Sequence, residues 1–232
     1  MLAGGAFLTI VLTVSRSSLA GFILGSMICV GLSLVRYPNI RNIAILLLSF
    51  FVSLLIVAKA ADTLFERFFE MQSTDQDMGY RERLNEAAVL MARDHFFGVG
   101  LGNYLTYSTM WYADRVMADP TNIAHNVYYL TLAEMGIPGL IAFIIFWIRF
   151  YSINLVGLYR SWSLEHSYAF PVFLGAFCAT IVMQFQNFFH FSFRVTPVFF
   201  LMHIIMGFVV SMYLEMKNRR GDIIDSASTL LP

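Results

Sequence analysis

The sequence predicts an all-α integral membrane protein with about five or six transmembrane helices and one long extracytoplasmic loop. Of its 232 residues, 58% are hydrophobic and only 13% are charged, about half the charged fraction of a typical soluble domain. The mean hydropathy is +0.68, and several apolar runs approach the roughly 20 residues that cross a hydrocarbon core. These observations exclude a soluble enzyme and a disordered chain.

The apolar runs define the predicted spans in chain order. Five of them are long enough to cross a bilayer: 17–35, 42–58, 125 to about 151, 168–191 and 195 to about 214. The first run, 2–14, is short for a span and has neither the basic start nor the cleavage site of a signal peptide. We therefore expect residues 1–232 to form a single membrane domain that is the C-terminal half of a larger fold.

The basic residues of the short loops orient these spans. Loops at 36–41 and 149–160 and the segment 217–220 carry arginine or lysine, which favours the cytoplasmic side. The long stretch 59–124 lies on the opposite side, and its part up to residue 122 holds six basic and ten acidic residues. We predict an extracytoplasmic loop with short helices at 59–124 and a cytoplasmic tail at 215–232.

Several classes of partner and cofactor are not indicated. Fifteen basic and fifteen acidic residues cancel, so no polycationic surface for nucleic acid is expected. No pair of histidine, cysteine or acidic residues has metal-ligand spacing, and we predict neither a metal nor a cofactor. The glycine-rich segment 98–102 lacks the lysine of a phosphate-binding loop and predicts a tight turn after the loop helix.

Three residues at the outer membrane face are candidates for chemistry. Arg16 separates two apolar runs, Arg81 begins a helix that runs to about Arg93, and His125 stands at the start of the next span. Two guanidinium groups could hold a diphosphate, and an imidazole could move a proton. Each residue has a plainer interpretation: Arg16 as an interfacial anchor, Arg81 as part of a solvated helix face, and His125 as a helix cap.

Glycine and proline interrupt the span that follows His125. The segment Gly136-Ile137-Pro138-Gly139 predicts that residues 125–134 form a half-helix and that the span proper begins near Pro138. Broken helices at membrane depth are tolerated where they line a polar cavity. His125 and Glu134 are therefore predicted on a cavity wall, with Glu134 as a buried structural partner.

Three stretches of the sequence resemble the O-antigen ligase and O-antigen polymerase superfamily of bacterial envelope glycosyltransferases. They lie around Arg16 (residues 12–20), from Gly79 through Arg81 to Asn103, and from Ala124 through His125 and Glu134 to Leu140. Their order and their placement around one long outer loop are also similar to the family pattern. The resemblance extends over essentially the whole chain.

The resemblance implies a GT-C-like membrane fold in the bacterial inner membrane. It implies an undecaprenyl-diphosphate-linked glycan as donor, a lipid A-core, glycan or protein acceptor, and metal-independent transfer with inversion. Arg16 and Arg81 match the arginines that grip the donor diphosphate, and His125 matches the histidine that assists the acceptor hydroxyl. Ser15, Arg83, Asn126 and Glu134 are expected to bind substrate beside them. The alternatives are a membrane transporter or binding protein of the same superfamily, or an inactive truncated fragment.

Overall fold

The computed structural model describes residues 16–40, 43–44, 47–48, 51, 75–112, 123–164 and 168–228. Within these ranges the chain is helical, and no strand is present. The elements are α1 (Arg16–Arg36), α2 (Asp75–Asp94), α3 (Tyr104–Tyr107), a π-helical turn (Ser108–Tyr112), α4 (Val127–Ser161), α5 (Ala169–Asn187), a 3₁₀ turn (Ser192–Arg194) and α6 (Thr196–Ser228). The all-helical prediction is confirmed.

Three of these helices are long and apolar enough to cross a membrane: α4, α5 and the part of α6 from Thr196 to Asn218. A shorter apolar helix covers Ala20–Arg36, and it overlaps the predicted span 17–35 except for its last residue. The predicted runs 2–14 and most of 42–58 lie outside the described residues. The chain is thus a membrane protein, and its total number of spans stays a prediction.

The membrane helices pack around one apolar core. Helix α5 contacts α1, α4 and α6, and its Phe170 and Phe173 are almost completely buried between them. Trp147 and Phe150 of α4 and Val209 of α6 belong to the same core. Burial of such large side chains contributes about 1.5–3 kcal/mol each in water; within lipid, close packing carries the association instead.

A second buried cluster, the loop cluster, joins α2 to the beginning of α4. Its members are Leu84, Ala87, Ala88, Met91, Val99, Tyr104, Tyr112, Ala124, Leu130 and Ala133. The spacing of the α2 members places them on one face of that helix. The hydroxyl of Tyr104 donates a 2.6 Å hydrogen bond to the carbonyl of Leu84, and burial raises the pKa of Tyr104 above its usual range.

Helix α4 is broken at Gly136, as the sequence predicts. Gly136 has φ 69° and ψ −171° inside the helix, and the segment before it, residues 127–135, is called the half-helix below. The backbone N–H groups of Val99 and Gly100 donate to the carbonyls of Ala133 and Glu134, each at 2.9 Å. The turn after α2 thus satisfies carbonyls that the break leaves without helical partners.

Two helices extend further than the apolar pattern indicates. Helix α4 reaches Ser161, beyond the predicted end near Tyr151, and α6 reaches Ser228, beyond the predicted end near Leu214. The α6 extension begins with Glu, Met, Lys and Arg residues of good helix propensity, and the α4 extension contains two Leu and one Arg. Hydropathy marks where a segment leaves the apolar layer, and it does not mark where the helix ends.

Candidate functional site

His125 lies directly before the half-helix, at the end of the bundle where α5 ends. Its ring is half-buried and meets the ring of His190 edge-on, with centroids 5.7 Å apart. On another side it lies against Phe191, also at 5.7 Å, with the ring planes tilted by 34°. The sequence placed His125 at the start of a span, and the structure adds a second histidine, His190, from the turn that follows α5.

Asn126 caps the half-helix. Its side-chain oxygen accepts hydrogen bonds from the backbone N–H groups of Tyr128 at 2.9 Å and Tyr129 at 3.3 Å, the usual role of an N-cap. Its side-chain NH₂ donates to the carbonyl of Phe188 at 3.2 Å. The capping role considered for His125 therefore belongs to Asn126, which also ties the half-helix to the end of α5.

Glu134 lies at the other end of the half-helix and is buried, with 4% of its side chain exposed. Its Oε2 accepts from Nη1 of Arg194 at 2.8 Å. Arg194 belongs to the 3₁₀ turn between α5 and α6, so this ion pair joins two parts of the chain 60 residues apart. A buried carboxylate needs such a partner, because desolvation of an unpaired charge is costly.

Arg81 and Arg83 both lie on α2, on different faces of it. Arg81 precedes the buried residues Leu84 and Ala88 by about one and two turns, which puts it beside the face that packs on the half-helix. Tyr80, its neighbour, packs against the loop cluster that contains Ala124, the neighbour of His125. Nε of Arg83 instead donates to the carbonyl of Gly79 at 3.1 Å, within its own helix.

A cleft of about 700 Å³ separates α1 from α5. Ser18, Ser26, Cys29, Cys178 and Gln186 are among the residues that line it, and His190 and Ser192 stand at one end. Ser18, two residues after Arg16, lines the same cleft as His190. The start of α1 is therefore at the end of the bundle that holds His190 and His125. The side chain of Arg16, and Ser15 altogether, lie outside the described residues.

Sequence reasoning missed two residues of this site, His190 and Arg194. The signal for both was available, because the predicted spans 168–191 and 195–214 place their connecting turn on the same membrane face as His125. Which residues they meet, His125 and Glu134, became evident only from the three-dimensional arrangement. Among the described residues, no group of three histidine, cysteine or acidic side chains is placed to hold a metal ion.

The chain was compared with known families, curated proteins and solved structures. A family model described as O-antigen ligase matches residues 1–144, which is more than half of the chain. The matched segment includes Arg16, Arg81, His125 and Glu134, and it ends within α4. No curated protein and no solved structure matches the chain.

Proposed function

Because the chain belongs to the O-antigen ligase family, we propose that it transfers or polymerises glycan from an undecaprenyl-diphosphate-linked donor. The observation that carries this proposal is the position of His125, which lies beside His190 and directly before a broken helix that packs against the helix bearing Arg81. Broken helices in membrane proteins favour polar binding sites. Family membership adds the lipid-linked glycan as the general substrate class.

Arg16 and Arg81 bind the donor diphosphate in this proposal. A diphosphate leaving group gains negative charge as the bond to the sugar breaks, and fixed guanidinium groups stabilise that charge without a metal. Arg81 lies beside the packed face of α2, and Arg16 begins α1 near the His190 end of the cleft. These positions support a common location for the two arginines.

His125 accepts the proton of the acceptor hydroxyl. The hydroxyl oxygen forms a bond to the anomeric carbon, the bond from that carbon to the diphosphate breaks on the opposite face, and the configuration inverts. The proton passes to the imidazole.

The remaining predicted substrate contacts are Asn126, Glu134, Arg83 and Ser15. Asn126 binds the carbonyl of Phe188, and Glu134 binds Arg194. In our proposal these two bonds hold the two ends of the half-helix in place and so position His125. Arg83 and Ser15 stay predicted substrate contacts. The acceptor is a lipid A-core, another glycan or a protein.

The proposed site faces the outside of the bacterial inner membrane. Its loop, 59–124, is extracytoplasmic, the tail at 215–232 is cytoplasmic, and the whole has a GT-C-like arrangement. The positive-inside distribution of the short loops supports this topology. A donor at the outer leaflet is then on the same side of the membrane as Arg81 and His125.

Transfer rates of arginine variants test the diphosphate site. We expect Arg81→Ala to lower the initial rate of transfer from a polyprenyl-diphosphate-linked oligosaccharide by about ten- to a hundredfold, since a hydrogen bond to a charged group contributes about 1.5–3 kcal/mol. Arg81→Lys should recover little of it, because lysine lacks the bidentate fork. Arg93→Ala, at an exposed position of the same helix, is the matched control and should keep the wild-type rate.

Two results would contradict the assignment of Arg81. If Arg81→Ala keeps the full rate while Arg83→Ala abolishes it, the wrong arginine of α2 has been chosen. If neither variant changes the rate, α2 does not bind the diphosphate.

A further inference from the structure

A second cavity lies beside the loop cluster. It has a volume of about 410 Å³ and is lined by Asp94, His95, Tyr107, Trp111 and Tyr112. These residues come from the end of α2, the segment after it, α3 and the π-helical turn. None of them takes part in the site proposed for the diphosphate, and π-helical turns occur frequently at functional sites.

Two aromatic rings form one wall of this cavity. The rings of Tyr107 and Trp111 lie 4.7 Å apart, with their planes tilted by 37°. The ring of His95 meets Tyr107 edge-on, at 5.4 Å and 85°, which holds Tyr107 in place. Trp111 is 58% exposed, so its ring is accessible to a ligand that enters the cavity.

A carboxylate stands next to this aromatic wall. Oδ2 of Asp94 accepts a 2.8 Å hydrogen bond from the hydroxyl of Tyr112. Tyr112 is buried, with 4% exposed, and it belongs to the loop cluster. Its hydroxyl therefore orients a carboxylate that is itself exposed to solvent and able to accept further hydrogen bonds.

This combination fits a sugar ring. A pyranose has an apolar face of C–H groups, whose partial positive charge favours the negative face of an aromatic ring, and a rim of hydroxyl groups that donate to a carboxylate. An organic cation would also attract aromatic rings and a carboxylate. The stacked Tyr107–Trp111 pair favours the sugar, because it offers the one flat face of the exposed Trp111 ring instead of several faces around one point.

We propose that the cavity lined by Asp94, His95, Tyr107, Trp111 and Tyr112 binds a sugar residue of the glycan that the enzyme handles. This inference rests on the proposed function and names a subsite for it. His95 lies three residues before Gly98, which touches the broken end of the half-helix. The half-helix separates that end from His125 by about 14 Å, at 1.5 Å per residue. A short oligosaccharide would span that distance, with its reacting sugar at His125.

Calorimetric titration of the purified full chain tests this subsite. The probe is the lipid-free oligosaccharide that mild acid releases from the source organism's own surface polysaccharide. We expect Trp111→Ala to weaken binding about tenfold, and Asp94→Asn to weaken it at least as much through loss of a charge-assisted bond. Asn at position 94 can still accept from Tyr112, so this variant is expected to fold. Tyr159→Ala, which removes another highly exposed aromatic ring, should leave binding unchanged.

Other outcomes overturn the inference. The sugar subsite is refuted if the wild-type chain does not bind the oligosaccharide. It is also refuted if the Trp111→Ala variant binds the oligosaccharide as tightly as the wild type does. Tetramethylammonium binding that depends on Trp111, without sugar binding, would identify a cation pocket instead.

The outcome for this subsite is separable from that for the proposed function. Binding that depends on Trp111 in a chain without any transfer activity would support the subsite and refute the function. Transfer that depends on Arg81, together with unchanged binding in Trp111→Ala, would refute the subsite alone.

Discussion

Two glycines let backbone meet backbone where α4 breaks. A Cβ atom on Gly136 would overlap the carbonyl oxygen of Phe96, and one on Gly98 would overlap the carbonyl of Glu134. Both residues also have positive φ, 69° and 79°, where other residues are strained. The sequence predicted a turn at 98–102 and a break at 136–139, but not that the two touch.

Replacement of Gly136 tests this contact. We expect Gly136→Ala to lower the free energy of unfolding by several kcal/mol, because strain and backbone overlap add. Gly102→Ala is the matched control: Gly102 also has positive φ, 77°, but a Cβ there meets no described atom within 4 Å. It should cost only about 1–2 kcal/mol. Thermal unfolding in detergent measures both, and equal losses would contradict the close approach.

The half-helix is the element that brings the candidate site together. Asn126 fixes its beginning to the end of α5, Val99 and Gly100 bind the carbonyls at its end, and Glu134 binds Arg194. Its existence could be predicted, because Gly-Ile-Pro-Gly interrupts a helical pattern. Its three attachments could not be predicted from the sequence, because they join residues 34 to 62 positions apart along the chain and leave no local pattern.

The Glu134–Arg194 ion pair should couple the half-helix to the turn before α6. We expect Glu134→Gln and Arg194→Gln each to destabilise the fold, since each leaves the other charge without its partner. The double variant should lose less than the sum of the two, by about 1–2 kcal/mol. This coupling energy is smaller than the largest values measured for contacting pairs, because Arg194 is 27% exposed and solvent screens its charge. Additive losses in chemical unfolding would show that the two charges do not interact.

At the scale of the whole molecule, the sequence predicted the class of fold well and the assembly of the site less well. Long apolar runs have one stable solution in a bilayer, so α1, α4, α5 and α6 could be placed within several residues at most boundaries. The association of His190 with His125 depends on how α5 packs against its neighbours. Packing of that kind is decided by tertiary contacts, which a single sequence does not display.

Reporter fusions test the proposed topology. The basic residues at 36–41, 149–160 and 217–220 predict that these loops face the cytoplasm. A fusion of alkaline phosphatase near Gln76 should therefore be active outside the cytoplasm, and one at Ser163 should be inactive. Activity at Ser163 without activity near Gln76 would reverse the topology and place Arg81 and His125 away from an outer-leaflet donor.

In our proposal His125 acts as the base in glycan transfer from a lipid-linked donor. The most direct measurement is the initial transfer rate as a function of pH for wild type and His125→Gln, with His203→Gln as control because His203 binds the carbonyl of Phe199 within α6. We predict that the wild-type rate decreases at acidic pH, because a protonated imidazole cannot accept the proton of the acceptor hydroxyl, and that His203→Gln behaves in the same way. His125→Gln should lose about a hundredfold or more in rate. If His125→Gln keeps most of the rate and the decrease at acidic pH persists, His125 is not the base.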